Sequence, residues 1–141
     1  MSHPLTRAQS DVTAFVSISE DRRVPLPSRL RYEPTDPYAV RLSLGVPTLG
    51  PVVWVFAREL LSEGLRRPSG MGDVMVFPRH RCLPDTMRIV LRSREGAAMV
   101  EIPASAVARF LKDSYELVPP GAEGAYMDVD SGIAQLTGRS N

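Results

Sequence analysis

Hydrophobic and polar positions alternate along several short parts of the chain, with the two-residue period of half-buried β-strands. Val12, Ala14, Val16 and Ile18 fall on one face of a first predicted strand. The stretch 38–44 alternates in the same way and predicts a second strand. Three later stretches repeat the pattern and predict further strands: 73–78, 87–92 and 97–102.

The segment Val52–Phe56 departs from this alternation because it is apolar at every position. A strand that is apolar on both faces is typical of the middle of a sheet, where both faces are covered. We therefore predict a central strand here, covered by sheet, by helix or by a neighbouring subunit.

Two other stretches change to the period of an amphipathic helix. In the first, Leu61 belongs to the apolar face and Arg58 to the polar face. The predicted apolar positions of this helix are Ala57, Leu60, Leu61 and Leu65. The second helix opens at Pro103, where the missing N–H of proline costs nothing. Its predicted buried positions are Ala104, Val107, Ala108, Leu111 and Tyr115.

Prolines and glycines mark the predicted connections. Arg22–Pro37 contains four prolines and is predicted to be a turn-rich connection. Ser69–Gly72 is predicted to be a tight turn, and Arg94–Gly96 the turn of a hairpin. Near the carboxyl terminus, Asp128 or Asp130 is positioned to cap a short last helix.

The element order is therefore β-β-β-α-β-β-β-α, followed by the C-terminal helix. Short connections imply antiparallel pairing, and runs of strands separated by single helices indicate an α+β fold. We expect a flexible N-terminal segment over residues 1–11 and one domain over residues 12–137, because 141 residues suit a single core.

Charge and cysteine content limit the function classes. The formal net charge is +1, so bulk charge predicts neither nucleic-acid nor membrane binding. Cys82 is the only cysteine, which excludes an internal disulfide and fits a reducing compartment. The apolar run 52–57 is too short for a bilayer, which a helix crosses in about 20 residues. We expect a cytoplasmic protein.

The sequence contains no arrangement that nominates a catalytic or metal site. His80 and Cys82 lie two residues apart without a second such pair, whereas zinc requires three or four ligands. A catalytic triad would have to use His3 or His80, and no nucleophile-elbow or Walker A motif is present. We expect no metal, no cofactor and no enzymatic activity.

Clustered arginines are the one candidate binding feature. The residues are Arg66, Arg67, Arg79, Arg81, Arg88 and Arg92. Side chains two apart on a strand point the same way, so Arg88 and Arg92 share a face. Such a surface suits phosphate contacts, but single-strand binders also require interleaved aromatic side chains, which are few here. We favour a solvated arginine face over a nucleic-acid surface and keep both hypotheses.

Several longer runs have the sequence, order and spacing of one family. They are Leu30–Pro34, Asp36–Leu42, Trp54–Leu61, Glu63–Leu65, Arg67–Val74, Phe110–Lys112, Val118–Glu123 and Asp128–Asp130. From about residue 12 to residue 136 the chain resembles the SsgA-like proteins of sporulating actinobacteria. It departs from the family pattern at Ser93–Gly96, at Ser114, in the Arg79–Cys82 loop and in the Gly132–Asn141 tail. These departures leave the subgroup open.

The resemblance implies a non-enzymatic regulator of sporulation-specific cell division, located at division septa. The implied mode of action is that of an adaptor that helps to position or assemble the septum through protein contacts. The implied partners are further copies in a homotrimer, the tubulin-like division GTPase FtsZ, or a paralogous SsgA-like protein. The implied fold is a bent antiparallel sheet similar to the Whirly single-strand-binding proteins, so single-stranded nucleic-acid binding is the alternative function.

Overall fold

The computed structural model describes residues 6–19, 22–45, 50–78 and 85–127, without the side chains of residues 18, 19 and 71. The described elements alternate four strands with one helix, twice. The first set is β1 (Ala8–Ser19), β2 (Arg22–Tyr32), β3 (Ala39–Leu44), β4 (Val52–Ala57) and α1 (Arg58–Gly64). The second set is β5 (Ser69–Met71), β6 (Val74–Phe77), β7 (Thr86–Ser93), β8 (Gly96–Pro103) and α2 (Ala104–Leu117).

All eight of these strands form one antiparallel sheet in the order β4-β3-β2-β1-β8-β7-β6-β5. Each set of four strands is a meander, and β1 and β8 join the two sets at the centre. The α+β class and the antiparallel sheet are confirmed. The predicted order is wrong by one strand in each half, because β2 and β5 were assigned to connections.

Both helices cover the same face of the sheet, where the alternating apolar side chains form the core. α2 packs on β1 and β8, and α1 packs on β5 and β6. Leu30, Leu42, Ile89 and Val100 are fully buried beneath them. Burying a side chain of this size stabilises a fold by about 1.5–3 kcal/mol. The opposite face carries no helix among the described residues, and we call it the bare face.

The prolines of β2 are the reason why this strand was predicted to be a connection. The amide of Gly45 donates to the carbonyl of Pro27 at 2.8 Å, so residue 27 directs its backbone groups away from β1. Pro25, two residues earlier, faces the same side, where β3 pairs only with residues 28–31. Neither proline therefore removes a hydrogen bond between β1 and β2. Prolines with this orientation are compatible with a strand, and β2 runs unbroken over eleven residues.

β4 exists as predicted, but its position is not central. In the part of the chain that the structure describes, it is the outermost strand of the sheet and pairs only with β3. Phe56 is buried under the helices, whereas Val52, Val53 and Val55 are exposed by 58%, 50% and 52%. The uniformly apolar pattern therefore corresponds to a sheet edge that no described segment of the single chain covers.

A close helix–strand approach shapes the second half. A Cβ atom on Gly64 would overlap the side chain of Val76, so only glycine lets the end of α1 lie directly on β6. The segment predicted as a tight turn, Ser69–Gly72, contributes the three-residue strand β5, and its turn shrinks to Gly72 and Asp73. Gly72 has φ +83°, a conformation that glycine adopts without strain.

Two helix faces also differ from their predictions. Arg58, assigned to the polar face of α1, is 2% exposed. On α2, Ala108 is exposed, while Phe110 and Ser114 are buried in the stripe with Val107 and Leu111. The stripe is displaced because α2 crosses β1 and β8 on one side and contacts α1 on the other. Residues 123–127 are helical and precede the proposed caps Asp128 and Asp130. These caps and the C-terminal helix predicted after them lie outside the described residues.

At the amino terminus, β1 begins at Ala8, so residues 8–11 of the expected flexible segment pair with β2. Ala8 is buried against the core, opposite Tyr32. The division into a flexible segment and one domain over 12–137 otherwise stays a prediction.

Candidate functional site: the bare face of the sheet

Among the described residues, six arginines project from the bare face, because each occupies a strand position that alternates with a core residue. They are Arg23, Arg29, Arg31, Arg41, Arg88 and Arg92. Asp11 and Glu101 are acidic residues of the same face. Arginine therefore outnumbers acid on this surface, although the chain as a whole is nearly neutral.

Glu101 organises the centre of this face. Its carboxylate is 5% exposed and accepts a 2.7 Å hydrogen bond from Nε of Arg23, while Nε of Arg88 lies 3.5 Å away. The guanidinium of Arg23 also lies 4.0 Å from the ring centroid of Phe15, within cation–π distance. Part of the positive charge at the centre is thus paired with the buried carboxylate of Glu101.

A groove of about 780 Å³ occupies the part of the bare face between β1 and β4. Its charged lining is Asp11, Arg29, Arg31 and Arg41, and Val53 of β4 forms part of its wall. Arg29 donates to Asp11 at 2.7 Å, and this hydrogen bond raises the pKa of the Arg29 guanidinium above its ordinary value. The acids nearest Arg31 and Arg41, Glu33 and Asp36, are each 3.9 Å away.

The structure separates the arginines that the sequence grouped. Arg88 and Arg92 lie on the bare face, as their spacing on β7 predicts. Arg66 and Arg67 follow α1, on the helix side of the sheet, and both pair with Glu63, at 2.7 and 3.0 Å. Arg79 and Arg81 lie outside the described residues. That any of these six residues binds a partner stays a prediction.

Four bare-face arginines that precede β4 were not among the predicted binding residues. Arg23, Arg29 and Arg31 lie in β2, which was assigned to a connection, and Arg41 was treated only as the polar side of β3. A usable signal was present, because Leu26, Ser28, Leu30 and Tyr32 alternate with these arginines. The four prolines of this segment led to the prediction of a connection in spite of that alternation.

On the other side of the sheet, Arg58 is buried and ties the two helices together. Its guanidinium donates to the carbonyls of Ser114 and Val118 at 3.2 and 2.9 Å and to the carboxylate of Glu123 at 2.6 Å. The rings of Tyr32 and Tyr115 lie 4.6 and 4.9 Å from its Cζ. Both terminal nitrogens of the guanidinium therefore have hydrogen-bond acceptors, and Glu123 supplies the opposite charge that a buried arginine requires.

This environment shifts two pKa values. The hydrogen bond from Arg58 lowers the pKa of the Glu123 carboxyl below its ordinary value of 4.5. Burial raises the pKa of the Tyr32 hydroxyl to about 12, against the opposing effect of the nearby Arg58 charge. Tyr32 also donates to the carbonyl of Pro37 at 2.9 Å, so it stays a neutral donor at physiological pH. The cluster acts as a clamp that joins α1 to the end of α2.

The described residues contain neither a cluster of metal-ligating side chains nor a membrane-spanning helix. Within the described ranges, no three side chains of the metal-ligating types His, Cys, Asp and Glu come together. His80 and Cys82 are outside those ranges. Neither α1 nor α2 is long and apolar enough to cross a membrane.

Known proteins are similar to this chain in both sequence and architecture. Residues 26–123 match the family described as Streptomyces sporulation and cell division protein, SsgA. The sporulation-specific cell division protein SsgB of Streptomyces coelicolor is 42% identical over 123 residues, which are 87% of this chain and 90% of that protein. The SsgB of Thermobifida fusca is 38% identical over 135 residues, covering 96% of this chain and 98% of the relative.

Two solved structures agree with these relationships. The SsgA-like sporulation-specific cell division protein from Thermobifida fusca superposes with a TM-score of 0.84 at 38% identity, over 96% of this chain and 98% of that one. A structure from work on SsgB mutations and longitudinal cell division in Streptomyces coelicolor gives a TM-score of 0.79 at 40% identity, over 89% and 99% of the two chains. The protein therefore belongs to the SsgA family of sporulation and cell division proteins.

Proposed function

We propose that this protein is a non-enzymatic regulator of sporulation-specific cell division, and that it acts as an adaptor at the division septum. The observation that carries the proposal is the similarity of nearly the whole chain, in sequence and fold, to relatives named as sporulation-specific cell division proteins. The proposed mode of action is protein contact that helps to position or assemble the septum in the cytoplasm.

The proposed partners are the tubulin-like division GTPase FtsZ, a paralogous SsgA-like protein, and further copies of this chain in a homotrimer. Exposed apolar side chains support contacts of this kind. They include the exposed valines of β4. Near the clamp they also include Tyr38, Tyr126 and Met127, which are exposed by 51%, 38% and 43%. Light scattering at several concentrations tests the assembly, and a stable monomer at micromolar concentration contradicts the trimer.

An affinity pull-down from sporulating cells tests the adaptor function. The tagged protein is purified from nuclease-treated and untreated lysates, and the bound proteins are identified by mass spectrometry. We expect division proteins to be retained in both samples. Partners that disappear with nuclease would contradict direct protein contact.

A second candidate is single-stranded nucleic-acid binding on a Whirly-like architecture. It is favoured by the bare face, where Arg88 and Arg92 lie on the same sheet surface as the stacked pair of Arg23 and Phe15. Binding through phosphates weakens steeply with salt, because counterions are released. Replacing both Arg88 and Arg92 by glutamate should then abolish binding of an oligothymidylate, and salt-insensitive or absent binding rules this function out.

A further inference from the structure

The outer edge of β4 lacks the features that normally protect an edge strand. Natural edges carry charged side chains, prolines or bulges that prevent further strands from pairing. β4 reads Val52-Val53-Trp54-Val55-Phe56-Ala57, without a charge or a proline, and it pairs with β3 in unbroken register. Three of its side chains are at least half exposed. None of the described residues pairs with this edge, so it is open to another strand.

The backbone pattern identifies which residues present their hydrogen-bonding groups to the open side. Arg58 donates its amide to Tyr38 at 2.8 Å, and Gly45 donates to Pro27 on the other side of β3. In an antiparallel ladder the direction alternates from residue to residue. Trp54 and Phe56 therefore bond to β3, whereas Val53 and Val55 direct both N–H and C=O outward.

The groove beside this edge is positively charged and has unused donors. Three arginines line it against one acid, Asp11, which is already paired with Arg29. Nε of Arg31 is buried without a hydrogen-bond partner among the described residues. The nearest carboxylate oxygen to Arg41 is at 3.9 Å, beyond hydrogen-bond distance. An acidic side chain entering the groove would therefore meet the guanidinium of Arg41, whose side chain is 48% exposed.

We propose that the open edge of β4 binds an extended, acidic segment of a partner protein as an added strand, with acidic side chains directed over Val53 and Val55 toward Arg41. The inference rests on the proposed adaptor function and specifies the chemistry of the partner. An added strand lies about 10 Å from β3, given a spacing of roughly 4.8 Å per strand. An arginine and a glutamate extended toward each other span that distance. Backbone bonds supply affinity and the arginines supply selectivity.

Peptide fits this surface better than nucleic acid does. The outward N–H and C=O groups of Val53 and Val55 match a polypeptide backbone, and the valine side chains match apolar residues. The described residues that line the groove include no aromatic side chain on which a base would stack. Charge complementarity favours an acidic partner segment over a second copy of β4, which carries no acidic residue.

The test uses the full chain and a fluorescein-labelled peptide of alternating glutamate and valine, equal in length to the six residues of β4. Fluorescence anisotropy measures binding, and a peptide with lysine in place of glutamate is the probe control. We expect saturable binding of the acidic peptide that weakens with salt, and at least about tenfold weaker binding of the lysine peptide. Absence of saturable binding of the acidic peptide overturns the proposal.

Two matched pairs of variants separate the backbone from the charge. Val55→Pro removes an outward donor without removing a bond to β3, while Val55→Thr keeps the donor. Arg41→Glu reverses the charge in the groove, while Arg92→Glu makes the same change on the bare face at β7. We expect Val55→Pro and Arg41→Glu to weaken binding by about tenfold or more, and both controls to stay within about twofold. Equal losses in the test and control variants overturn the proposal.

Further outcomes identify other occupants. If oligothymidylate displaces the peptide and its own binding depends equally on Arg41, the groove binds nucleic acid. If Val55→Pro has a lower mass than the wild type in light scattering, the edge binds a second copy of the chain. Either result overturns the proposal. Circular dichroism checks folding, and if Val55→Pro is unfolded, the Arg41 and Arg92 pair decides. Division proteins that still co-purify with Arg41→Glu would leave the adaptor function intact while rejecting this surface.

Discussion

Arg58 lies inside the domain with its positive charge fully enclosed by protein groups. A buried arginine loses its hydration, and this cost is offset only where hydrogen bonds and an opposite charge surround it. Here two carbonyls, the Ser114 hydroxyl, a carboxylate and two aromatic rings do so. At this scale the identity of single atoms matters, because removing the guanidinium leaves the Glu123 carboxylate without its partner.

Replacing Arg58 by methionine should lower the free energy of unfolding by about 3–5 kcal/mol, because breaking a buried ion pair strands the remaining partner. Urea denaturation measures the effect. Arg66→Met is the matched control, since its ion pair with Glu63 is exposed and is worth at most about 1 kcal/mol. Equal losses in the two variants would show that Arg58 is not a structural centre.

The Glu123 carboxyl predicts how stability depends on pH. Its pKa is lowered in the folded protein, so the unfolded chain binds its proton more tightly, and folding is favoured when the group is ionised. The contribution is present above the ordinary value of 4.5 and is lost as pH falls through the folded-state pKa. We expect the stability difference between the wild type and Glu123→Gln to shrink as pH is lowered. A pH-independent difference contradicts the role of this ion pair.

At the scale of the element, β2 shows that a proline's effect depends on which side its nitrogen faces. Pro25 and Pro27 face the side where β3 offers no complete ladder, and their neighbours keep the bonds to β1. The number of prolines alone predicts that this segment is a connection. It forms an eleven-residue strand because the nitrogen atoms of both prolines face away from β1.

Moving the proline by one residue should therefore destabilise the protein. Val24→Pro removes an amide that bonds to β1 opposite Val16, and we expect a loss of about 1–3 kcal/mol. Pro25→Ala changes the adjacent position, whose nitrogen faces the open side, and should stay within about 0.5 kcal/mol of the wild type. Chemical denaturation of both variants gives the comparison, and a tolerated Val24→Pro would show that this part of the ladder contributes little.

At the scale of the whole molecule, one sheet and one core join both halves of the chain. β1 pairs with β2 and with β8, and α2 packs across β1 and β8, so neither set of four strands has a core of its own. The Arg58 clamp adds a link from α1 to the end of α2. The two ββββα halves are a repeated architecture within one continuous layer.

This continuity predicts a single cooperative unfolding transition. Calorimetry should give equal calorimetric and van't Hoff enthalpies, as for a two-state domain of this size. Two separate transitions, or an enthalpy ratio well above one, would show that the halves fold independently. That result would contradict the prediction of one domain over residues 12–137.

Local periodicity determined much of this protein. Alternation at Val40–Leu44 and Met87–Arg92, and the helical spacing around Leu61 and Val107, identified elements that the structure contains, because period two and period 3.6 are properties of neighbouring residues. The extended runs around Trp54 and Arg67 identified the family. The shared face of Arg88 and Arg92 also followed from spacing alone.

Only the tertiary structure decided which strands are neighbours, and the remaining features depend on that. The position of β4 at the sheet edge, the gathering of three arginines from β2 and β3 beside it, and the burial of Arg58 against the end of α2 all arise from contacts between residues far apart in the chain. An apolar run has the same pattern at the centre or the edge of a sheet, and an arginine beside a glutamate looks the same buried or solvated. The pairing of distant strands determines the environment of each side chain, and the periodicity of the sequence does not indicate which strands pair.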